Sequence, residues 1–257
     1  MPVFFPRSTI VSALSAAEVF EYITPFKEST LIFFDVDDTL ITPQSKTFKS
    51  APYNKMMDRI KSNKEQFPNF KEILSNWRLQ RSVMLVDNEW PKIINLLKKP
   101  YPVYGLTKIN TGKFGNIKSV EEWRHQELLS LGIEFSQSNQ FLNDNRIKRP
   151  DTPTYHNGIF ITGSFNKRQT LQLFWKNIPT PKNIIFIDDK KTYLEEVKQF
   201  CKERGCNFLG IHFKGVSTLA ITPDPKLAAF QEKHLIEYAE WLEDDAAYVA
   251  MKKLETP

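Results

Sequence analysis

Apolar positions along the chain fall into short unbroken runs, separated by longer stretches in which they recur every three or four residues. The runs are residues 31–34 (Leu-Ile-Phe-Phe), 102–106, 158–162, 184–187 and 208–213. Such runs, bounded by polar residues, predict strands covered on both faces, because a strand with one wet face alternates apolar and polar side chains. Between the runs, residues 119–131, 168–175 and 192–202 carry the helical period, with Val120, Trp123, Leu128 and Leu129 in the first of them. Strand and helix in alternation predict an α/β fold built on a Rossmann-like, doubly wound parallel sheet. Ligands of such sheets bind beyond the carboxyl ends of the strands.

One stretch departs from this alternation. Residues 53–64 and 69–83 read as amphipathic helices, with Phe70, Ile73, Leu74 and Trp77 on one stripe and no strand between them. They predict a small helical cap insert at residues 46–87, within a core formed by residues 1–45 and 88–257. Residues 88–99 return the chain to the core as a helix, with Pro91 suited to its first turn. Near the start, Ser15-Ala16-Ala17-Glu18 leading into Val19, Phe20 and Ile23 is the signature of a capped helix. Residues 132–157 are polar and contain Pro150 and Pro153, which predicts a loop. Residues 227–254 predict one long helix packed on the core, with Glu243-Asp244-Asp245 as a solvated acidic face.

Composition narrows the function classes. At 257 residues and 41% hydrophobic, the chain can bury a large core, and 20 phenylalanines predict that aromatic packing dominates it. The net charge of +5 comes from scattered pairs such as Lys98-Lys99, Lys190-Lys191 and Lys252-Lys253. No basic run interleaves with aromatics, which argues against a nucleic-acid partner, and nothing supports membrane association. No apolar run is long enough to span a membrane, and Ser8, Thr9, Ser12 and Ser15 break the N-terminal apolar stretch, so no secretory signal is read and a cytoplasmic location is expected. Cys201 and Cys206 lack further ligands nearby and read as free thiols. His125, His156, His212 and His234 do not cluster in sequence and read as surface or core residues rather than ligands.

The candidate chemistry lies where two of the strands end. Residues 31–34 run into Asp35-Val36-Asp37-Asp38-Thr39, and residues 184–187 run into Asp188-Asp189. Carboxylates crowded at a buried strand end repel one another and are costly to desolvate. In a parallel sheet the two termini can be neighbours, and together they form an oxygen-rich site that suits Mg²⁺, a hard ion that keeps waters and accepts phosphate oxygens.

Asp35-Val36-Asp37-Asp38-Thr39 resembles the DxDxT motif of the haloacid dehalogenase superfamily of phosphohydrolases, and Asp188-Asp189 resembles its acidic fourth motif. Val103-Tyr104-Gly105-Leu106-Thr107 is similar to the second motif and Lys167 to the third, in the same chain order. Residues 158–189 further resemble a little-characterised bacterial family, some of whose relatives in intracellular bacteria are secreted effectors, including a protein tyrosine phosphatase. The resemblance implies that Asp35 attacks phosphorus and that Asp37 protonates the leaving oxygen and then deprotonates water. It implies Mg²⁺ held by Asp35, Asp188, Asp189 and the backbone carbonyl of Asp37, with Thr107 and Lys167 on the phosphoryl oxygens. Asp37, two residues past the nucleophile, points to a phosphatase, since a dehalogenase has no alkoxide to protonate.

Several alternatives stay open on the residues themselves. Thr111 competes with Thr107, and Arg168 is a further phosphate contact; Lys182, in the loop entering a strand, would sit at the wrong end of the sheet. Lys190 either joins the site or faces solvent, Asp38 has no chemical role, and Arg59, Arg78 and Arg81 are candidates for substrate selection from the insert. The expected function is Mg²⁺-dependent hydrolysis of a phosphomonoester, on a small molecule or a phosphoprotein. A phosphotyrosine phosphatase effector, or a scaffold serving as a binding module, are the alternatives.

Overall fold

A computed structural model describes residues 8–26, 29–49, 52–141, 151–176, 178–219 and 222–255. Its contacts divide the chain into two units, one of residues 1–41, 85–112 and 120–218, the other of residues 42–84, 113–119 and 219–257.

The first unit has a mixed α/β fold around a seven-stranded, mostly parallel sheet flanked by helices, a Rossmann-like arrangement. In chain order it contains β1 (Ser8–Ala13), α1 (Ala16–Ile23) and β2 (Thr30–Phe34). The second unit then contributes most of β3 (Ile41–Pro43), α2 (Met56–Ser62), α3 (Phe70–Gln80) and most of β4 (Val83–Leu85). The first unit resumes with α4 (Trp90–Leu97), β5 (Val103–Thr107), α5 (Val120–Leu129), β6 (Thr154–His156) and β7 (Ile159–Ile161). It ends with α6 (Lys167–Phe174), β8 (Asn183–Asp188), α7 (Lys191–Arg204) and β9 (Asn207–Phe213); α8 (Pro225–Tyr238) and α9 (Asp244–Glu255) belong to the second unit.

The sheet order is β1-β9-β8-β2-β5-β7-β6, parallel except for the β6–β7 pair. The chain builds outward from β2 in one direction through β5 and then in the other through β8, so β2 lies at the topological switch point of the sheet. Every residue of β2 is buried, which explains why its sequence is unbroken in apolar character. On one face, Phe160 of β7 is the hub of an aromatic cluster, with ring centroids 4.8 Å from Tyr155 and from Phe174, 4.9 Å from Phe141 and 5.8 Å from Phe33. On the other, Trp90 packs between Phe34 and Phe213 at 5.4 and 5.1 Å, and its indole N–H donates to the Thr39 carbonyl. The aromatic core expected from composition is therefore present on both faces of the sheet.

The five strands expected from the apolar runs are all present. The capped first helix is as expected too, with the Ser15 hydroxyl accepting from Glu18 N–H. One element is added and three expectations are corrected. The N-terminal stretch is an edge strand, β1, half-exposed along its length and therefore without an apolar run. Residues 132–157 are not loop throughout: Thr154–His156 form the other edge strand, while Pro150 lies outside the described residues. The second insert helix stops at Gln80, and β4 pairs with β3 where no strand was expected. The long C-terminal helix is two helices, parted at Ala239, whose φ of 50° is left-handed.

In the second unit, Phe48 stacks between Trp77 and Trp241, with centroids 5.3 and 5.1 Å away. The expected insert at residues 46–87 falls largely within this unit, which also takes in the C-terminal helices. The acidic run 243–245 is solvated only in part: Asp245 is exposed, but Asp244 accepts from the Ser45 hydroxyl at 2.6 Å and from Lys46 N–H at 3.1 Å, and Glu243 accepts from Ser82 N–H at 2.6 Å.

Phe160→Ala removes the hub of the aromatic cluster and leaves a cavity. A loss of about 3–5 kcal/mol is expected, read as a lowered urea midpoint by tryptophan fluorescence, since Trp175 lies 5.4 Å from that ring.

Candidate functional site: a buried carboxylate cluster

The strand ladder carries past Phe34, with Asp35 N–H donating to the Ile187 carbonyl at 2.9 Å, so Asp35 sits at the carboxyl end of β2 beside Asp188 at the end of β8. The chain then turns sharply. Asp38 adopts φ 63° and donates to the Ile41 carbonyl, and Leu40 N–H donates to the Val36 carbonyl. An aspartate tolerates this left-handed conformation better than most residues. Asp38 is half-buried and makes the turn. The hydroxyl of buried Thr39 accepts from Asp189 N–H at 3.1 Å, tying the loops after β2 and β8 together.

One carboxylate oxygen from each of Asp35, Asp188 and Asp189 lies within 4.8 Å of the other two. The Lys167 ammonium, with no solvent exposure, donates to Asp35 Oδ1 and to Asp188 Oδ2, both at 2.5 Å. Lys167 is held there by position: it opens α6, whose capping box pairs Asn166 with Gln169, and its ammonium stands 4.8 Å from the Phe186 ring and 4.6 Å from that of Tyr193. Asp188 Oδ1 accepts from Lys190 N–H at 2.7 Å, whereas Asp189 Oδ1 is buried with no hydrogen-bond partner among the described residues.

The electrostatics are unbalanced. Burial works against the charge on Lys167, but Asp188 and Asp35 outweigh it and raise its pKa above the ordinary lysine value. Burial holds the Asp35 carboxyl well above the usual carboxylate range, with Lys167 opposing the shift. Burial and then the Asp188 carboxylate push Asp189 up to about 7, offset in part by Lys190. One buried ammonium faces three carboxylates, so the cluster lacks positive charge. The orphaned oxygen and the all-oxygen donor set fit a hard divalent ion such as Mg²⁺.

Asp37 has a partner of its own. Arg124 of α5 is 1% exposed and grips both Asp37 oxygens at 2.8 and 2.9 Å through one nitrogen, while its other terminal nitrogen donates to Glu127 at 2.6 Å. Burial opposes the charge on Arg124, but Asp37 and Glu127 keep it charged. This arginine was missed in the sequence: it stands 87 residues from Asp37, and nothing local marks it. Thr107 ends β5 next to β2; its hydroxyl is buried with no hydrogen-bond partner among the described residues, so it remains free to serve a ligand.

The competitors are engaged elsewhere. The Thr111 hydroxyl donates to the Thr152 carbonyl, Arg168 pairs with Glu203, and Lys182 lies before β8 with its N–H on Ser29. In the second unit Arg59 pairs with Glu232, and Arg78 and Arg81 lie over the Phe114 and Trp77 rings. Lys190 is exposed, its ammonium 5.5 Å from the Tyr193 ring. An apolar depression walled by Leu31, Pro102, Phe141 and Trp175 lies at the opposite end of β2 and, among the described residues, offers no carboxylate, thiol or imidazole. One expectation about histidines is corrected: His125 and His156, distant in sequence, come together with Glu122.

The chain belongs to DUF2608, a family described as proteins of unknown function, whose model matches residues 13–248. It is 31% identical over 236 residues to an uncharacterized protein of Rickettsia prowazekii, covering 88% of this chain and 84% of that one. It is 24% identical over 254 residues to a putative outer membrane protein of Chlamydia pneumoniae, covering 88% of this chain and 86% of that one. No solved structure matches. These findings overturn the resemblance to the haloacid dehalogenase superfamily and to its bacterial branch: the family that matches is an uncharacterised one, and short motifs at strand ends did not establish membership. Among the described residues, no helix is long and apolar enough to cross a membrane.

Two outcomes follow from the charge imbalance. Lys167→Met leaves Asp35 and Asp188 buried without their cation and should cost about 3–5 kcal/mol in metal-free protein, measured by urea unfolding. An unfolded aspartate ionises near 4, whereas folded Asp189 holds its proton to about 7. In that window the folded state binds more protons, so this contribution to stability falls as pH rises. Metal-free Asp189→Asn should therefore show a flatter decline in Tm from pH 5 to 8 than the unaltered chain, and Mg²⁺ should raise Tm of the unaltered chain more at pH 8 than at pH 6.

Proposed function

We propose that this DUF2608 protein is a Mg²⁺-dependent phosphomonoester hydrolase that works through a phosphoaspartate on Asp35. The observation that carries the reading is a buried carboxylate at the switch point of a parallel sheet, crowded by two further acids and a lysine, with a second carboxylate two residues on that is fixed separately. The proposal stands on this arrangement and not on family resemblance.

An oxygen of Asp35 attacks phosphorus as the bond from phosphorus to the leaving oxygen breaks, and the phosphoryl group passes to the carboxylate. Water then attacks the phosphoaspartate, Asp37 takes its proton, and inorganic phosphate and free Asp35 result. Lys167 offsets charge on the phosphoryl oxygens, and the Thr107 hydroxyl, which lacks another partner among the described residues, donates to one of them. Mg²⁺, held by Asp35, Asp188, Asp189 and the Asp37 carbonyl, would supply the positive charge that lets an anionic phosphate approach an anionic nucleophile.

Arg124 refines the substrate class. Both Asp37 oxygens accept from the buried Arg124 guanidinium, an arrangement that suits an ionised carboxylate with no proton to hand to a departing alkoxide. Aryl phosphates, which leave as stabilised phenolates, suit this site best, and phosphotyrosine on a protein is one of them.

Purified protein should hydrolyse p-nitrophenyl phosphate in Mg²⁺ and lose nearly all turnover in EDTA or as Asp35→Asn; equal turnover by that variant, or none dependent on Mg²⁺, rejects the reading. Arg124→Met, which replaces the buried guanidinium with an apolar side chain of similar length, should lower turnover while raising the alkyl-to-aryl ratio of kcat/KM by up to about a hundredfold, the size of one general-acid step at its weakest.

A further inference from the structure

Glu122 and His125 lie three residues apart on α5 and so share a face of that helix. His156 ends β6, and the tight turn to β7 is Asn157-Gly158, with φ values of 46° and 82°. Both positive angles are those of a two-residue hairpin turn that needs Asn and Gly. The turn is also wedged: a Cβ on Gly158 would lie 2.6 Å from the Phe135 Cβ and 2.7 Å from the Ser136 carbonyl oxygen. The hairpin tip is thus fixed against its neighbours, and it brings His156 to the Glu122–His125 face.

One ligand atom from each of Glu122, His125 and His156 lies within 4.8 Å of the other two. His156 Nε2 is 3.0 Å from Glu122 Oε2, and the Asn157 amide nitrogen bridges the rings at 3.0 Å from His125 Nδ1 and 3.2 Å from His156 Nε2. The other Glu122 oxygen accepts from Gln126 at 2.7 Å, the outer partner that a ligating carboxylate usually has. The Asn157 amide nitrogen thus stands between the two ring nitrogens, which face the same point.

We infer that Glu122, His125 and His156 form a second metal site, separate in chemistry from the aspartate cluster, that takes a borderline divalent ion such as Zn²⁺. Two imidazoles and a carboxylate are a nitrogen-rich set that favours Zn²⁺ over Mg²⁺ and leaves a fourth position for water or another ligand. Burial and the neighbouring His156 hold His125 below its usual pKa, in the neutral form that ligates. The ion would tie α5, the helix that carries Arg124, to the β6–β7 hairpin.

The test is calorimetric titration of Zn²⁺ into EDTA-stripped full-length protein that is then saturated with Mg²⁺, in a Cys206→Ser background to remove the half-buried thiol. One equivalent of Zn²⁺ should bind; His125→Ala and His156→Ala should each weaken it at least about 100-fold, Glu122→Gln less, and Asp189→Asn not at all. Co²⁺ should give visible absorption bands typical of a four- or five-coordinate ion, lost in either histidine variant. No Zn²⁺ binding, the result expected if a proton is shared between His156 and Glu122, overturns the inference. So does binding that survives both histidine changes or disappears with Asp189→Asn. Circular dichroism of each variant separates a lost ligand from a lost fold.

Discussion

A lysine ammonium without solvent contact, held between Asp35 and Asp188, is the interaction on which the candidate site depends. It joins the start of α6 to the ends of β2 and β8, three elements whose approach would otherwise bring like charges together out of water. Breaking such a pair leaves a buried charge uncompensated, which is far costlier than never having made it. Yet the ammonium neutralises only part of the cluster. Asp189 remains, with one oxygen unpartnered among the described residues, and the fold carries a local excess of negative charge at these strand ends.

The architecture makes this arrangement possible. Because β2 is flanked by β5 on one side and β8 on the other, acids at the ends of β2 and β8 are adjacent in space although far apart in the chain. Both strands are buried and apolar, so each carboxylate sits on a rigid support rather than on a free loop. The Thr39 hydroxyl that accepts from Asp189 N–H couples the two turns, so the acids are positioned before any ligand arrives.

Much of this was legible in the sequence because covered parallel strands are written as continuous apolar runs, and those runs end directly in Asp35 and Asp188. The parts that were not legible share a physical cause. The edge strands β1 and β6 are only partly covered and so carry no run; the break at Ala239 has neither Gly nor Pro to announce it; and Arg124, His125 and His156 acquire meaning only through contacts between distant segments. Local chemistry identified the acids, but neither the arginine that holds Asp37 nor the histidine pair could be inferred from spacing. The same limit applies to kinship: strand-end acids describe a type of site, whereas membership was decided by likeness along nearly the whole chain.

The buried Arg124 guanidinium is held by Asp37 and Glu127 and has no water to turn to if either acid is lost. Each single change strands a charge, while exchanging all three for uncharged side chains leaves none. Evolution at these positions is therefore coupled: substitutions should arrive together or be rescued by one another, and a lineage that abandons Asp37 has reason to abandon the arginine with it.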